Sequence, residues 1–451
     1  MSKKLRNSMR LSPWLLALIM LFGAWLRVDV TLKTQVDLPI RADARDYYSY
    51  AYNLVNHGIY SRDAGFLNSE NKQLSPDALR SPGYPLFLAL FVSHLPIGKA
   101  VFDITLAQAV LGTLLVLLTF LAARQCLPPN WALMPAFLVA ISPQLVNCGV
   151  YVLSETLFIF LMMAGLVCIA MEARKSQAGW VLFAGGLALG AAALVRPTLN
   201  YFVPFLLVTF LPAIPKAQRW SWAVKVVLGF ALMTIPWTLR NWIVLGGGDQ
   251  TLLISALVHG HYPWSMYEWN PLSLGYPYRY DPQIADISSS LGAALRGISE
   301  RVAEHPVDYF VWYFIGKPLM FFSWGDVAAW REFFTYPMIT SPYFYNPVFV
   351  GTKLAMQGLH AVLVILAVVA VSALVLKRWI DGFQEQYNVV YHLFVATFLY
   401  FLAVHVVGFP IARYCVPLLP VIFILAAYMV YQIVQNIRKK NLYKIHSHGR
   451  G

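Results

Sequence analysis

Charge is scarce in this chain. Only 12% of its 451 residues are Asp, Glu, Lys or Arg, while 59% are hydrophobic. Soluble domains carry roughly 25% charged residues, so an ordinary water-exposed fold is excluded; the mean hydropathy of +0.58 agrees. Cysteine is scarce too. Cys126, Cys148, Cys168 and Cys415 form no CxxC pair and no metal spacing, which leaves no inferable disulfide framework or zinc module. No internal repeat and no low-complexity linker divides the chain, so 1–451 reads as one membrane domain. Acids are fewer than bases, 21 against 34, for a formal charge of +13. Such a charge can signal nucleic acid. Here the cations lie mostly in short links between apolar runs, the pattern of the positive-inside rule, and nucleic acid is not implied.

What the chain does have is long apolar runs. Spans are expected near 12–28, 103–123, 130–147, 153–171, 178–195, 199–216, 222–238, 358–376, 388–408 and 414–435. The expected fold is an all-α polytopic bundle of about ten transmembrane helices. The Trp and Tyr content, 14 and 25, suits aromatic belts at the two interfaces. Lys3, Lys4, Arg6 and Arg10 precede the first run without a following small-residue cleavage site, which reads as a retained signal anchor. Starting inside, ten spans return the C-terminus inside. Seventeen cations, among them Arg174, Lys377, Arg378, Lys444 and Arg450, then fall in cytoplasmic segments, whereas the three short external links hold only Arg196 and Arg413. Two external segments are long, about 29–102 and 239–357. Within them Tyr84–Leu95 and Tyr309–Trp324 are apolar but too short or broken to span, and read as interfacial or re-entrant helices.

The first long segment opens on Asp43-Ala44-Arg45-Asp46-Tyr47-Tyr48. Tyr47, Tyr50, Ala51, Leu54 and Val55 share one helical face, and Gly58 suits a C-terminal cap. The tyrosines are expected toward the bilayer or the bundle. The plain reading of Asp43 is an N-cap with Asp46 three residues on. The chemical reading is a general base, a carboxylate held where water is partly excluded. The two are compatible.

Arg80, Arg196, Arg240 and Arg413 all fall on the external side, where the positive-inside bias disfavours them. For Arg196 and Arg240 a helix C-terminus offers a structural explanation; Arg413 precedes a helix, where a cation is disfavoured. As a set they suit an anion such as a lipid phosphate, which the guanidinium fork matches. Glu155, after Ser154 at the start of a span, is either a capped helix start or a second working carboxylate that binds a metal, orients a sugar hydroxyl or restrains an arginine. His259, His261 and His405 lack metal spacing and read as ordinary external histidines.

These motifs resemble the GT-C superfamily of membrane glycosyltransferases, and most closely its bacterial RgtA/B/C/D-like branch near the protein O-mannosyltransferases and aminoarabinose transferases. Asp43-x-x-x-Tyr47-x-x-x-Ala51-x-x-Leu54 with Gly58 looks like the first-loop signature. Arg80-Ser81-Pro82-Gly83-Tyr84-Pro85, Leu153-Ser154-Glu155-Thr156-Leu157, Arg196-Pro197, Pro236-Trp237 with Arg240-Asn241, and Arg413-Tyr414 resemble later markers in the same order. Residues 10–245 carry the likeness well, the last third only around Arg413. Many relatives place two acids side by side in the first loop; here Ala44 and Arg45 separate Asp43 from Asp46, which leaves dependence on a divalent cation open.

The resemblance implies a polyprenyl-phosphate-sugar donor, a lipid, glycan or protein acceptor, and periplasmic placement of both long loops at a bacterial inner membrane. In that reading Asp43 is the catalytic base. Asp46 and Glu155 are supporting acids, and Arg80, Arg196, Arg240, Arg413 and Lys317 are candidates for the donor phosphate. Two other readings fit many spans with external arginines. A lipid-linked sugar flippase would favour paired halves and midplane helix breaks. An oligosaccharide ligase would lean on loop residues such as Arg240 or His261.

Overall fold

The structure, a computed structural model, describes residues 3–64, 74–92, 96–173, 175, 179–263, 278, 281–324, 334–375 and 385–448, with side chains described outside 3–12, 385–388 and 441–448. Arg174, Lys377, Arg378 and Arg450 lie outside the described residues, as do the side chains of Lys3, Lys4, Arg6, Arg10 and Lys444.

The chain is built of helices. α1 (Lys3–Lys33) leads through β1 (Gln35–Val36) to α2 (Asp43–His57) and α3 (Gly83–Ala89). α4 (Ile97–Ala123), α5 (Pro129–Ile141), α6 (Pro143–Asn147), α7 (Glu155–Glu172) and α8 (Val181–Val195) follow, then α9 (Phe202–Thr209), α10 (Lys216–Leu245) and α11 (Thr251–Gly260). The second long segment continues with α12 (Ile284–Ile287), α13 (Leu291–Glu304), α14 (Pro306–Val311), a π turn over Trp312–Gly316, α15 (Lys317–Phe321), β2 (Met338–Thr340) and α16 (Pro342–Tyr345). The chain closes with α17 (Pro347–Val375), α18 (Glu385–Val407) and α19 (Leu419–His448).

Among the described residues seven helices are long and apolar enough to cross a membrane, and the bent pair α5–α6 makes up to eight. The bend of 51° falls at Ser142-Pro143. Proline disfavours helical geometry in the residue before it, and Ser142 is accordingly extended and caps α6 by accepting from the Leu145 N–H. The other two expected spans correspond to shorter apolar helices, Val181–Val195 and the interrupted Pro197–Ala213. α8 packs along α10, where a Cβ at Gly186 would meet the Val226 oxygen at 2.3 Å and one at Gly229 the Phe183 oxygen at 2.3 Å. Small residues let the two backbones touch.

Burial sorts the helices. In the span of α19, 83% of the apolar window is buried, against 17% in α10. α19 is therefore the middle of the bundle, and α10 presents its apolar side outward, as Trp220, Leu232 and Trp242 show.

Several boundaries differ from those expected. α10 runs on to Leu245, so Arg240 lies within the helix instead of after it. α17 starts at Pro347 with Asn346 accepting from the Val348 N–H at 3.0 Å; Lys353 and Gln357 had disguised this turn as loop. The interfacial helix expected over 84–95 is α3, which ends at Ala89, and 93–95 lie outside the described residues. A small antiparallel pair, Gln35 with Thr340 and Val36 with Met338, ties the second long segment to the end of α1.

Candidate active site

α2 forms as expected. Gly58 closes it in the left-handed conformation at φ 68°, its N–H bonded to the Leu54 oxygen, a geometry glycine adopts without a Cβ penalty. Its start corrects the N-cap reading of Asp43. The N-cap is Ala42 at φ 45°, ψ −122°, without a side-chain cap bond. Neither aspartate is left to cap, because a guanidinium is the stronger partner for a carboxylate. The tyrosines face the bundle: Tyr47, Tyr48 and Tyr50 are buried. The Tyr47 ring meets Tyr84 edge-on, and its hydroxyl donates to Ser154 Oγ at 3.5 Å. Ser154 thus does not cap α7 with its side chain.

Arg80 is carried by the turn before α3. A Cβ on Gly83 would lie 2.7 Å from the backbone of Leu194 and Val195. Glycine there lets the turn press onto the end of α8, which presents Arg196. Arg80 Nη2 donates to Asp43 Oδ1 at 2.7 Å and to Asp46 Oδ2 at 2.9 Å, and its Nε donates to Asp46 Oδ2 at 3.1 Å. Burial works against the Arg80 charge, but Tyr47 and then the Asp43 and Asp46 carboxylates hold its pKa above the ordinary value.

Two further elements close on the same point. Glu155, in the first turn of α7, is almost wholly buried. Its Oε1 accepts from Arg413 Nε at 2.5 Å and lies 3.0 Å from Arg196 Nη1. Arg413 Nη1 reaches back to Asp43 Oδ2 at 3.6 Å. Asp46, Arg80, Asp43, Arg413, Glu155 and Arg196 therefore form one chain of alternating charge. Arg196 lies over the rings of Tyr414 at 5.3 Å and Phe158 at 5.8 Å. Arg413, expected to precede a helix, instead lies in the first turn of a 3-10 helix (Ala412–Leu418) that runs into α19, and is offset by two carboxylates. Glu155 Oε2 is buried without a hydrogen-bond partner among the described residues.

Arg240 and Lys317 stand apart from this chain. Arg240 donates to the Asp77 oxygen at 2.9 Å and the Asn241 side chain at 3.0 Å, and stacks over Trp237 and Tyr60. It borders an apolar groove of about 680 Å³ between α10 and the first external segment, lined among others by Leu54, Pro82, Leu86, Leu194, Leu232 and Met233. Pro82 and Leu194 each lie two residues from a cluster arginine, so the groove abuts the charged chain. Lys317 is fully buried. Its ammonium donates to the carbonyls of Val406 at 2.7 Å and Gly408 at 2.9 Å, capping α18.

Three residues were not singled out in the sequence. Gln108, the polar residue inside an apolar run, accepts from the Tyr84 hydroxyl and donates to the Gly149 and Tyr151 carbonyls, fixing the approach to Glu155. Arg27, inside the first span, donates to the Gly23, Val139 and Ala140 carbonyls. In both cases the signal was a polar residue in a hydrophobic window. Tyr336, brought in beside β2, accepts through its carbonyl from the Tyr151 hydroxyl; nothing in its sequence context marks it. His261 is buried, with Nδ1 on the Val258 carbonyl and Nε2 facing Arg301 at 2.8 Å. His405 stacks on Tyr414.

Each of the three carboxylates is committed to arginine, and no group of three His, Cys, Asp or Glu converges among the described residues.

Residues 79–239 match the family described as dolichyl-phosphate-mannose-protein mannosyltransferase. That stretch includes Arg80, Glu155 and Arg196; Asp43, Asp46, Arg240 and Arg413 lie outside it. No curated protein matches the sequence. Among solved structures, the archaeal oligosaccharyltransferase AglB from Archaeoglobus fulgidus, in complex with an inhibitory peptide and a dolichol-phosphate, is 12% identical with a TM-score of 0.53. The match covers 97% of this chain and 52% of that one. The apo form of the Archaeoglobus fulgidus oligosaccharyltransferase gives 13% identity and 0.53, covering 98% and 52%. ArnT from Cupriavidus metallidurans bound to undecaprenyl phosphate gives 15% identity over 93% of this chain and 77% of that one at a TM-score of 0.40. The chain spans about half the length of the oligosaccharyltransferases it matches. At such identities the likeness is one of fold.

Proposed function

We infer that this chain, an integral membrane protein of GT-C type, transfers a sugar from a polyprenyl-phosphate donor to an acceptor at the outer face of the cytoplasmic membrane of a bacterium, with both termini in the cytoplasm. The observation that carries the reading is Asp43: a partly exposed carboxylate between two arginines, Arg80 and Arg413, in a molecule whose apolar groove is lined by Pro82 and Leu194, each two residues along the chain from a cluster arginine.

In this mechanism the acceptor's hydroxyl or amine gives its proton to Asp43 as its heteroatom attacks the anomeric carbon. The carbon–oxygen bond to phosphate breaks on the opposite face, its electron pair leaves with the polyprenyl phosphate, and the configuration inverts. General base catalysis of this kind contributes about 10²–10⁴-fold. Arg80 and Arg413 stabilise the charge that develops on the leaving phosphate. Glu155 holds Arg413 and Arg196, and Arg240 flanks the groove.

The test is to incubate the purified protein and its Asp43→Asn variant with a panel of polyprenyl-monophosphate sugars and candidate acceptors. Transfer by the wild type from a monophosphate donor, lost about a thousandfold in the variant, is expected. A folded, donor-binding variant with full activity would remove Asp43 from the mechanism. Movement of intact donor lipid without bond cleavage would identify a flippase instead.

A further inference from the structure

The two central arginines are held asymmetrically. Asp46 Oδ2 holds Arg80 at Nε and at Nη2, the nitrogen it shares with Asp43, and Glu155 holds Arg413 at Nε. Asp43 faces only terminal nitrogens, Arg80 Nη2 at 2.7 Å and Arg413 Nη1 at 3.6 Å. It is also the most open of the six side chains, 34% exposed against 1% for Glu155 and 17% for Asp46. Its two oxygens thus span a pair of guanidiniums that Asp46 and Glu155 also hold. A phosphate makes the same demand on such nitrogens, an oxygen on each fork.

We propose that the donor's phosphate arms the base: it takes over the terminal nitrogens of Arg80 and Arg413 from Asp43, while Asp46 and Glu155 act as positioning residues that keep both guanidiniums in place through the exchange. The proposal rests on the donor reading given above. The charges balance along the reaction. The phosphodiester donor carries one negative charge, and cleavage of its bond to the sugar adds a second. In the same step Asp43 gains the acceptor's proton and becomes neutral. The arginines therefore follow the negative charge from the carboxylate to the leaving phosphate. An acceptor, or water, that arrives before the donor meets a base that is still occupied.

The test compares the affinity of undecaprenyl phosphate in detergent for the wild type, Asp43→Asn and Asp46→Asn, with each protein checked by its melting curve and Asp43→Ser as the substitute if the first variant fails to fold. Competition for the same nitrogens predicts that Asp43→Asn binds on the order of tenfold more tightly than the wild type, equivalent to about 1.4 kcal/mol. Asp46→Asn, which frees Arg80 from its anchor, is expected to bind no more tightly than the wild type. Unchanged or weaker binding by Asp43→Asn overturns the proposal. Equal tightening by both variants does so too, since it reduces the effect to lost negative charge. Lipid that binds none of the three proteins removes the donor reading itself, whereas lipid that binds the wild type and Asp43→Asn equally removes only the arming step.

Discussion

Replacing Glu155 by Gln removes one charge and almost no volume, which makes it a sharp probe of the buried ion cluster. Glu155 is 1% exposed, and its Oε1 lies 2.5 Å from Arg413 Nε and 3.0 Å from Arg196 Nη1. At 3 Å and an effective dielectric of about 20, each pair has a gross attraction of about 5 kcal/mol, much of it offset by desolvation. Removing one partner of a buried pair typically costs about 3–5 kcal/mol, because the remaining charge is stranded. The loss falls unequally. Arg413 keeps Asp43 as a partner, whereas Arg196 retains the faces of Tyr414 and Phe158, worth about 0.5–2 kcal/mol each. Glu155→Gln is therefore expected to destabilise the protein by about 3 kcal/mol, read as a lower melting temperature in detergent by tryptophan fluorescence. The double variant with Arg196→Gln should be less destabilised than the sum of the two single variants, since removing both partners leaves fewer stranded charges. Additive losses, or a single variant that melts with the wild type, would refute the cluster as described.

Three further outcomes are expected. Gly83→Ala forces a methyl to within 2.7 Å of the α8 backbone, so it should separate Arg80 from Arg196 and lower transferase activity more than it lowers the melting temperature; unchanged activity would count against this packing. Ala42→Gly relieves a positive φ of 45° and should stabilise the folded chain by about 1 kcal/mol, a gain visible in the same melting assay. His261 is held below its ordinary pKa, at about 4, chiefly by burial and then by the nearby Arg301 against the Val258 bond. Its neutral form is the folded one, so its contribution is fully present above the unfolded value of 6.5 and is lost as the pH falls toward about 4. Limited proteolysis of the second external segment should accelerate across that window in the wild type, and more weakly in a His261→Gln variant.

Hydropathy alone located most of the spans, because a lipid-facing or bundle-facing run is a local property of the chain. Gly58 as a helix end was equally legible, since only glycine adopts that backbone conformation freely. Helix ends disguised by a polar residue were missed, as at Lys353, and so was the cap Asn346 supplies. The N-cap reading of Asp43 failed for a different reason. Capping preference assumes that no better partner is near, and Arg80, 37 positions away in the chain, was that partner.

By itself the sequence determined the membrane class, the helical acidic stretch and the set of arginines that merited attention, because composition and periodicity act over a few turns. Only the tertiary structure decided how that set divides. Asp43, Arg80, Glu155, Arg196 and Arg413 meet because α2, α3, α7, α8 and the turn before α19 converge at one end of the bundle. Arg240 and Lys317 are drawn instead to nearby carbonyls. Coulomb attraction and hydrogen bonding act between atoms a few ångströms apart, and which distant residues come that close is set by helix packing, through contacts such as Gly83 on α8, that no local pattern records.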